Sequence, residues 1–293
     1  MLRPFFRAVV TMAVWAGGVT FAEVPLRDFQ ALPEDLVVPG LTEGDPSPGM
    51  RVKLSAPGFE STAAHHTIYL PADWTAAKKY PVLFEYAGNG GYANRKLGDT
   101  CDGSVEGCHL GYGLSAGKGF IWVCLPFVEI IEGKKQNAKK WWGDVEESLR
   151  YAQAAIDQTC AKFGGDPKAL VLCGFSRGSI GCNFIGLHDD RIAARWRAFF
   201  CYSHYDGVRT GWPYAGADRA SALERLKRLQ GRPQFICMER STAEIEDYLK
   251  QTGVSGDFTF VTIPFENHND CWTLRDIPER QQARDWLAKV VAR

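Results

Sequence analysis

Ser176 stands in a segment whose residue types suit a nucleophile. It is the central residue of the Gly-x-Ser-x-Gly segment 174–178, between an apolar strand pattern at 169–173 and a helical pattern that begins at once. In such a strand–turn–helix the glycines remove Cβ atoms that would collide, and the serine Oγ is held above the edge of the sheet. We therefore predict a nucleophile elbow in which the N–H of Arg177 points at the attacked group. A plain surface turn is the alternative.

A serine hydroxyl becomes a good nucleophile only when a base accepts its proton. Of the six histidines, His268 follows the last predicted strand and precedes the last predicted helix. Loops at the carboxyl ends of parallel strands open on one edge of a sheet, which is where Ser176 is expected. His268 is thus the predicted base, whereas His188 lies at the far end of the elbow helix and His109 in an irregular loop.

The third member of such a site is a carboxylate that accepts the second N–H of the histidine and fixes its tautomer. Glu239 lies at the carboxyl end of the strand pattern before the last one, where this acid is expected. Asp206 follows the preceding strand pattern and is the alternative. The sequence favours Glu239 and leaves both open.

The glycine-rich segment 87–93 follows the strand pattern 80–86 and has two interpretations. Its spacing matches the Gly-x-Gly-x-x-Ala dinucleotide fingerprint, but that fingerprint needs a helix at once and an acidic residue about 20 residues later, and the sequence predicts neither. We therefore expect backbone N–H groups at Asn89 and Gly90 to join that of Arg177 in an oxyanion hole.

Two adjacent tryptophans, Trp141 and Trp142, follow a polar segment at 132–140 that we expect to be mobile. They are candidate substrate-binding residues, because aromatic rings at the active edge of the sheet can line a cleft. A hydrophobic plug over the end of the sheet is the alternative interpretation.

Strand and helix patterns alternate along the chain, as a doubly wound, mostly parallel α/β sheet flanked by helices requires. The strands are apolar on both faces, which is typical of a sheet covered by helices on both sides. Strands are predicted at 65–71, 80–86, 120–126, 169–173, 198–202, 234–238 and 258–263, and helices at 144–163, 180–187, 220–229, 243–251 and 278–293.

The composition is that of a globular protein: 293 residues, 45% hydrophobic and 23% charged. Residues 1–22 combine two arginines, a short apolar run and small residues near Ala22, which predicts a signal peptide and a secreted or periplasmic protein. An uncleaved N-terminal anchor is the alternative. Residues 23–50 read as an extended lead-in, and 51–293 as one catalytic domain. Without the leader, 32 basic face 34 acidic residues, so nothing attracts nucleic acid and no stable membrane insertion is expected.

Nine cysteines follow the leader, and export exposes them to an oxidising compartment. Cys101 and Cys108 enclose a short glycine-containing loop, so we predict a disulfide between them. A zinc site built on this segment and His109 would need further ligands, and the sequence places none close by. The cysteines within apolar strand patterns are predicted to be buried thiols: Cys124, Cys173, Cys201 and Cys237.

The order serine, acid, histidine, together with segment 174–178, the glycine-rich loop and the terminal histidine loop, resembles the α/β-hydrolase superfamily from about residue 65 to 293. The chain looks most similar to secreted bacterial esterases of the feruloyl-esterase and polyhydroxybutyrate-depolymerase-like kind. It departs from them in its Gly-Asn-Gly-Gly loop, where lipase-like members carry His-Gly-Gly-Gly, and it lacks the usual Gly-x-x-Asp at the acid position.

The resemblance implies a serine hydrolase that cleaves carboxylic esters, free or polysaccharide-linked, through an acyl-enzyme, with no metal or organic cofactor. A serine peptidase of the same fold is the nearest alternative, because the same groups cleave amides. A binding protein on a hydrolase fold without activity is the alternative of another class.

Overall fold

A mixed eight-stranded sheet forms the centre of the structure, a computed structural model that describes residues 26–28, 31–91 and 101–292. The strands are β1 Arg51–Leu54, β2 His66–Tyr69, β3 Tyr80–Tyr86, β4 Ile121–Leu125, β7 Gly165–Phe175, β8 Ala198–Tyr202, β9 Pro233–Glu239 and β10 Asp257–Ile263, while β5 Val128–Ile131 and β6 Lys134–Asn137 form a separate hairpin.

The strand order across the large sheet is β1-β2-β4-β3-β7-β8-β9-β10. β2 is antiparallel to both β1 and β4, and every pair from β4 to β10 is parallel. Parallel neighbours leave their carboxyl ends at one edge, so the loops after β3, β7, β8, β9 and β10 share that edge. The predicted doubly wound, mostly parallel sheet is confirmed.

Helices cover both faces of this sheet, and each face has its own hydrophobic core. The helices are α1 Leu110–Ser115, α2 Val145–Lys162, α3 Arg177–Phe184, α4 Asp190–Ala193, α5 Arg219–Leu226, α6 Ala243–Thr252 and α7 Pro278–Val291. Helices α2, α3 and α6 contribute to one core, and α1 and α7 to the other. Asp144 caps α2, because its Oδ1 accepts the N–H of Glu147 at 2.9 Å.

Five of the described elements were not predicted from the sequence: β1, β5, β6, α1 and α4. Segment 132–140, expected to be mobile, contains β6 and pairs with β5 through a two-residue turn in which Glu132 and Gly133 both have positive φ. That combination matches the right-handed twist of the flanking strands. β1 has only four residues and α1 only six, so neither has a periodicity long enough to detect.

The predicted Cys101–Cys108 disulfide is wrong: no disulfide is formed by any of the nine cysteines, all of which are described. The loop folds as tight turns that aim the two thiols at different neighbours. Sγ of Cys101 accepts the N–H of Gly88 at 3.0 Å, and Sγ of Cys108 faces the carbonyl of Ser104 at 3.6 Å. The four strand cysteines are buried thiols, as expected.

The described part of the lead-in runs along the surface and contacts distant parts of the chain. The N–H of Asp35 donates to the carbonyl of Leu274, and a bridge joins Leu41 to Arg51. The predicted signal peptide, 1–22, lies outside the described residues. Within the described ranges, no helix combines the length and apolar character that a membrane crossing requires.

Candidate active site

Ser176 occupies a sharp turn between β7 and α3. Its φ of 54° and ψ of −113° are unusual for a residue with a side chain, and only 8% of it is exposed. The turn requires glycine on both sides, because a Cβ at Gly174 would lie 2.2 Å from Gly178, and one at Gly178 would lie 1.9 Å from the carbonyl oxygen of Tyr86. The backbone therefore has the geometry of an elbow that presents a serine hydroxyl.

The structure brings Ser176, His268 and Glu239 together. Nε2 of His268 lies 3.0 Å from Oγ of Ser176, and Nδ1 lies 3.0 Å from Oε1 of Glu239. A carboxylate only accepts hydrogen bonds, so Nδ1 carries the proton and Nε2 is left to accept the serine proton. The arrangement has the geometry that a serine nucleophile and its base need.

Glu239 is held as a carboxylate by its partner. Burial raises its pKa, but the hydrogen bond and charge of His268 outweigh this and lower the pKa of Glu239 below its usual value. The alternative acid, Asp206, is placed elsewhere: its carboxylate accepts two hydrogen bonds from Arg225, at 2.8 and 3.1 Å, in the core below α5. Asp206 therefore does not face His268.

Two further residues at the end of β8 contact His268, and the sequence reasoning named neither. Oγ of Ser203 lies 2.8 Å from Nδ1 of His268, and Ser203 also helps to lower the pKa of Glu239. Ser203 is completely buried, with a φ of 85°. The ring of His204 lies 5.3 Å from that of His268, and burial, together with His268, lowers the pKa of His204 to about 4. Their position directly after a parallel strand was the available signal.

The three predicted oxyanion donors differ in availability. Arg177 is the first residue of α3, where backbone N–H groups have no partner within the helix. The side chain of Asn89 is fixed because its Oδ1 accepts the N–H of Trp141 at 2.8 Å. The N–H of Gly90, in contrast, donates to the carbonyl of Lys139 at 2.8 Å and is removed from the candidate donors. Arg177 and Asn89 remain.

The side chain of Arg177 is buried beneath the site. Its guanidinium lies 4.5 Å from the ring centroid of Phe127. Within the described residues it donates to four backbone carbonyl oxygens, those of Ala87, Gly103, Ala138 and Trp141, at 2.8 to 3.4 Å. Burial lowers the pKa of Arg177 to about 10, which still leaves it protonated at neutral pH. Arg177 thus fastens the loops that surround Ser176.

A cavity of about 400 Å³ opens next to Ser176 and is lined in part by aromatic rings. The rings of Trp141 and Trp212 form one wall, with centroids 5.2 Å apart, and the guanidinium of Arg209 lies 4.2 Å from the centroid of Trp212. Trp142 is buried against Phe184 and does not line the cavity. Trp141 therefore lies at the cleft, as expected of a substrate-binding residue, whereas Trp142 is part of the hydrophobic core.

Metal-type side-chain clusters lie outside this site. Within the described residues, neither group of three His, Cys or carboxylate ligands includes Ser176, His268 or Glu239. Residues 87–91 of the glycine-rich loop after β3 are not helical. The residues at the site are suited to proton transfer and nucleophilic attack.

No protein-family model matches the chain, and no curated protein matches it. Solved structures do match it. An S-formylglutathione hydrolase from Agrobacterium tumefaciens superposes with a TM-score of 0.56 at 13% identity, over 86% of this chain and 98% of that one. A ferulic acid esterase gives 0.52 at 15% identity, over 83% and 97%.

A dipeptidyl peptidase 4 from Porphyromonas gingivalis also matches, with a TM-score of 0.51 at 13% identity over 84% of this chain. This chain covers 36% of the peptidase, whereas it covers nearly all of the two smaller enzymes. Identities this low establish a shared architecture and no more.

Proposed function

The chain has the α/β-hydrolase fold, and from this premise we propose that it is a serine hydrolase that cleaves carboxylic esters. The observation that carries the proposal is the pair of 3.0 Å contacts that link Ser176 to His268 and His268 to Glu239. The strained backbone of Ser176 adds support, because such strain persists where function requires it.

In the proposed reaction, Oγ of Ser176 attacks the ester carbonyl carbon while Nε2 of His268 accepts the serine proton. The N–H of Arg177, with the N–H of Asn89, stabilises the negative oxygen of the tetrahedral intermediate. The carbon–oxygen bond to the alcohol then breaks, and His268 returns the proton to the leaving alcohol. A water molecule repeats these steps on the acyl-enzyme and releases the acid and Ser176.

The cavity supports a substrate with an aromatic group. Trp141 and Trp212 offer flat apolar faces beside Ser176, and Arg209 places a cation at the rim. We propose a small ester, free or attached to a larger molecule, with an aromatic ring on its acyl or alcohol part. Secretion remains part of the proposal and depends on the leader at 1–22.

A fluorophosphonate probe tests the proposal, because it labels only an activated serine. We expect the purified chain to be labelled once and to hydrolyse p-nitrophenyl esters. Ser176→Ala should abolish both, with a loss of several orders of magnitude in kcat. Ser241→Ala, at an exposed serine after β9, is the matched control and should change neither.

Two results would contradict the proposal in different ways. Absence of labelling in the folded chain would favour a binding protein on this fold. Labelling at Ser176 combined with faster cleavage of p-nitroanilides than of p-nitrophenyl esters would favour a peptidase.

A further inference from the structure

His109, Asp270 and Cys271 form a compact cluster outside the serine site. Nδ1 of His109 lies 3.5 Å from Oδ1 of Asp270 and 3.7 Å from Sγ of Cys271. All three atoms lie within 4.8 Å of one another. His109 immediately precedes α1, and the other two residues closely follow His268, so the cluster joins segments that are distant in the sequence.

The cluster converges on one point. Asp270 and Cys271 approach the same nitrogen of His109, whereas a nucleophile relay needs its acid and its nucleophile on opposite ring nitrogens. One N–H cannot point well at both groups, and 3.5 Å is long for a hydrogen bond to an oxygen. The geometry is therefore that of a chelate.

The carboxylate of Asp270 supplies an independent observation. Its side chain is completely buried, and within the described part of the chain neither oxygen accepts a hydrogen bond. A buried carboxylate is strongly unfavourable unless a cation compensates it. Without a metal ion, a protonated His109 is the cation nearest to Asp270 among the described residues, and the 3.5 Å between Nδ1 and Oδ1 is longer than a good hydrogen bond. Glu85 shows the usual solution nearby: it is equally buried, and its oxygens accept the N–H groups of Leu110, Gly111 and Trp122 at 2.7 to 3.2 Å.

We propose that His109, Asp270 and Cys271 bind a transition-metal ion of the zinc type. Zinc bonds of about 2.0–2.1 Å to nitrogen, 2.0–2.2 Å to carboxylate oxygen and 2.3 Å to sulfur place tetrahedral neighbours about 3.3–3.6 Å apart. The two measured separations from Nδ1 are close to these values. A thiolate and an imidazole favour Zn²⁺ over Mg²⁺ or Ca²⁺, which prefer oxygen ligands.

A neighbouring group, Glu85, Cys108 and Cys124, also places its ligand atoms within 4.8 Å of one another. It lacks a buried carboxylate without hydrogen bonds, because the oxygens of Glu85 already accept three N–H donors. Sγ of Cys108 also faces the carbonyl of Ser104. This second group therefore serves as the internal control.

The ion would fasten the loop that carries His268 to the start of α1. Asp270 and Cys271 are the second and third residues after His268, and Cys271 opens a short 3-10 helix, Cys271–Leu274, which packs against α1. Bound metal would thus restrain the position of the His268 loop. Metal binding itself does not depend on the proposed hydrolase activity.

The test uses the full chain, purified under reducing conditions and stripped with a chelator. We expect Co²⁺ to bind with one equivalent per chain and to give an ultraviolet thiolate-to-cobalt charge-transfer band, which Zn²⁺ abolishes by displacement. Cys271→Ser should remove the band, and His109→Ala and Asp270→Asn should weaken binding at least tenfold. Cys124→Ser and Ser176→Ala should leave the band and the stoichiometry unchanged.

Chelation should also lower the melting temperature of the unchanged chain by several degrees and leave that of Asp270→Asn unaltered. Asp270→Asn keeps the size of the side chain. It therefore tests metal binding even if Cys271→Ser does not fold. The proposal is overturned if the folded chain gives no cobalt band. It is likewise overturned if the band survives in Cys271→Ser and disappears in Cys124→Ser, or if peptide mapping finds Cys271 in a disulfide.

Discussion

Nδ1 of His268 has two oxygen partners, Oε1 of Glu239 at 3.0 Å and Oγ of Ser203 at 2.8 Å. Together these two contacts fix the orientation of the imidazole ring. Glu239 supplies charge, while Ser203 supplies a neutral hydroxyl that contacts Nδ1 of His268 and helps to lower the pKa of Glu239. Two further predictions separate these roles.

Replacing each candidate acid should affect a different property. Glu239→Gln should lower kcat by up to about 10⁴, because an amide can favour the wrong imidazole tautomer. Asp206→Asn should leave kcat nearly unchanged but lower the free energy of unfolding by about 3 kcal/mol or more, because buried Arg225 loses its charge partner. Ester hydrolysis and urea unfolding measure the two effects. If Asp206→Asn lost activity but kept its stability, Asp206 rather than Glu239 would be the acid that orients His268.

Removing the hydroxyl of Ser203 should lower kcat by about 10- to 100-fold, the equivalent of one hydrogen bond to a charged group. Ser203→Ala and Ser203→Gly should lose the same activity, while the glycine variant should be the more stable, because glycine adopts a φ of 85° without strain. Steady-state kinetics and thermal unfolding on both variants check this. If the less stable of the two variants were also the less active one, the role of Ser203 would be structural only.

At the scale of elements, the sequence predicted the long strands and helices well, because their apolar runs and caps are local signals. β3 and β8 begin and end where the apolar patterns do. Five short elements were not predicted, β1, β5, β6, α1 and α4, because none of them carries a long apolar pattern. The role of Ser203 was not predicted either, because its position after a strand was its only signal. The acid could be narrowed only to Glu239 or Asp206, because the deciding contact, Asp206 with Arg225, depends on tertiary packing.

The elbow depends on glycine because strand, turn and helix approach closely. Gly178→Ala should lower the free energy of unfolding by at least about 3 kcal/mol, since the new Cβ would lie 1.9 Å from the backbone oxygen of Tyr86. Gly40→Ala is the control: no heavy atom lies within 4 Å of its Cβ position, so its effect should stay within about 0.5 kcal/mol. Urea unfolding measures both, and equal stability of the two variants would contradict the packing argument.

At the scale of the whole molecule, the lead-in connects to the segment that follows His268. Asp35 pairs with Arg280, whose side chain is only 3% exposed, and the N–H of Asp35 donates to Leu274. The lead-in therefore contributes to the surroundings of the active-site loop, although it lies outside the region that resembles the hydrolase superfamily.

This connection can be tested with two aspartates that both contact Arg280. Asp35→Asn should lower the free energy of unfolding by about 1–3 kcal/mol, because a buried guanidinium loses a charge-assisted partner. Asp276→Asn should have almost no effect, because the Asp276 side chain is 88% exposed. Thermal and urea unfolding of the two variants decide between them. A loss in Asp35→Asn as small as that in Asp276→Asn would mean that the lead-in contact adds nothing to stability.

The way Arg177 fastens its surroundings has a consequence for how this chain can diverge. Its guanidinium binds carbonyl oxygens of Ala87, Gly103, Ala138 and Trp141, which are groups that every residue type possesses. Except at Gly103, where a Cβ would lie 2.2 Å from the carbonyl oxygen of Lys139, the side chains of these anchor residues can therefore be exchanged while the anchors persist. Substitutions in the cleft wall, at Trp141 for example, can therefore change which molecules the cavity accepts. They can do so without changing the backbone arrangement that holds Ser176 in place.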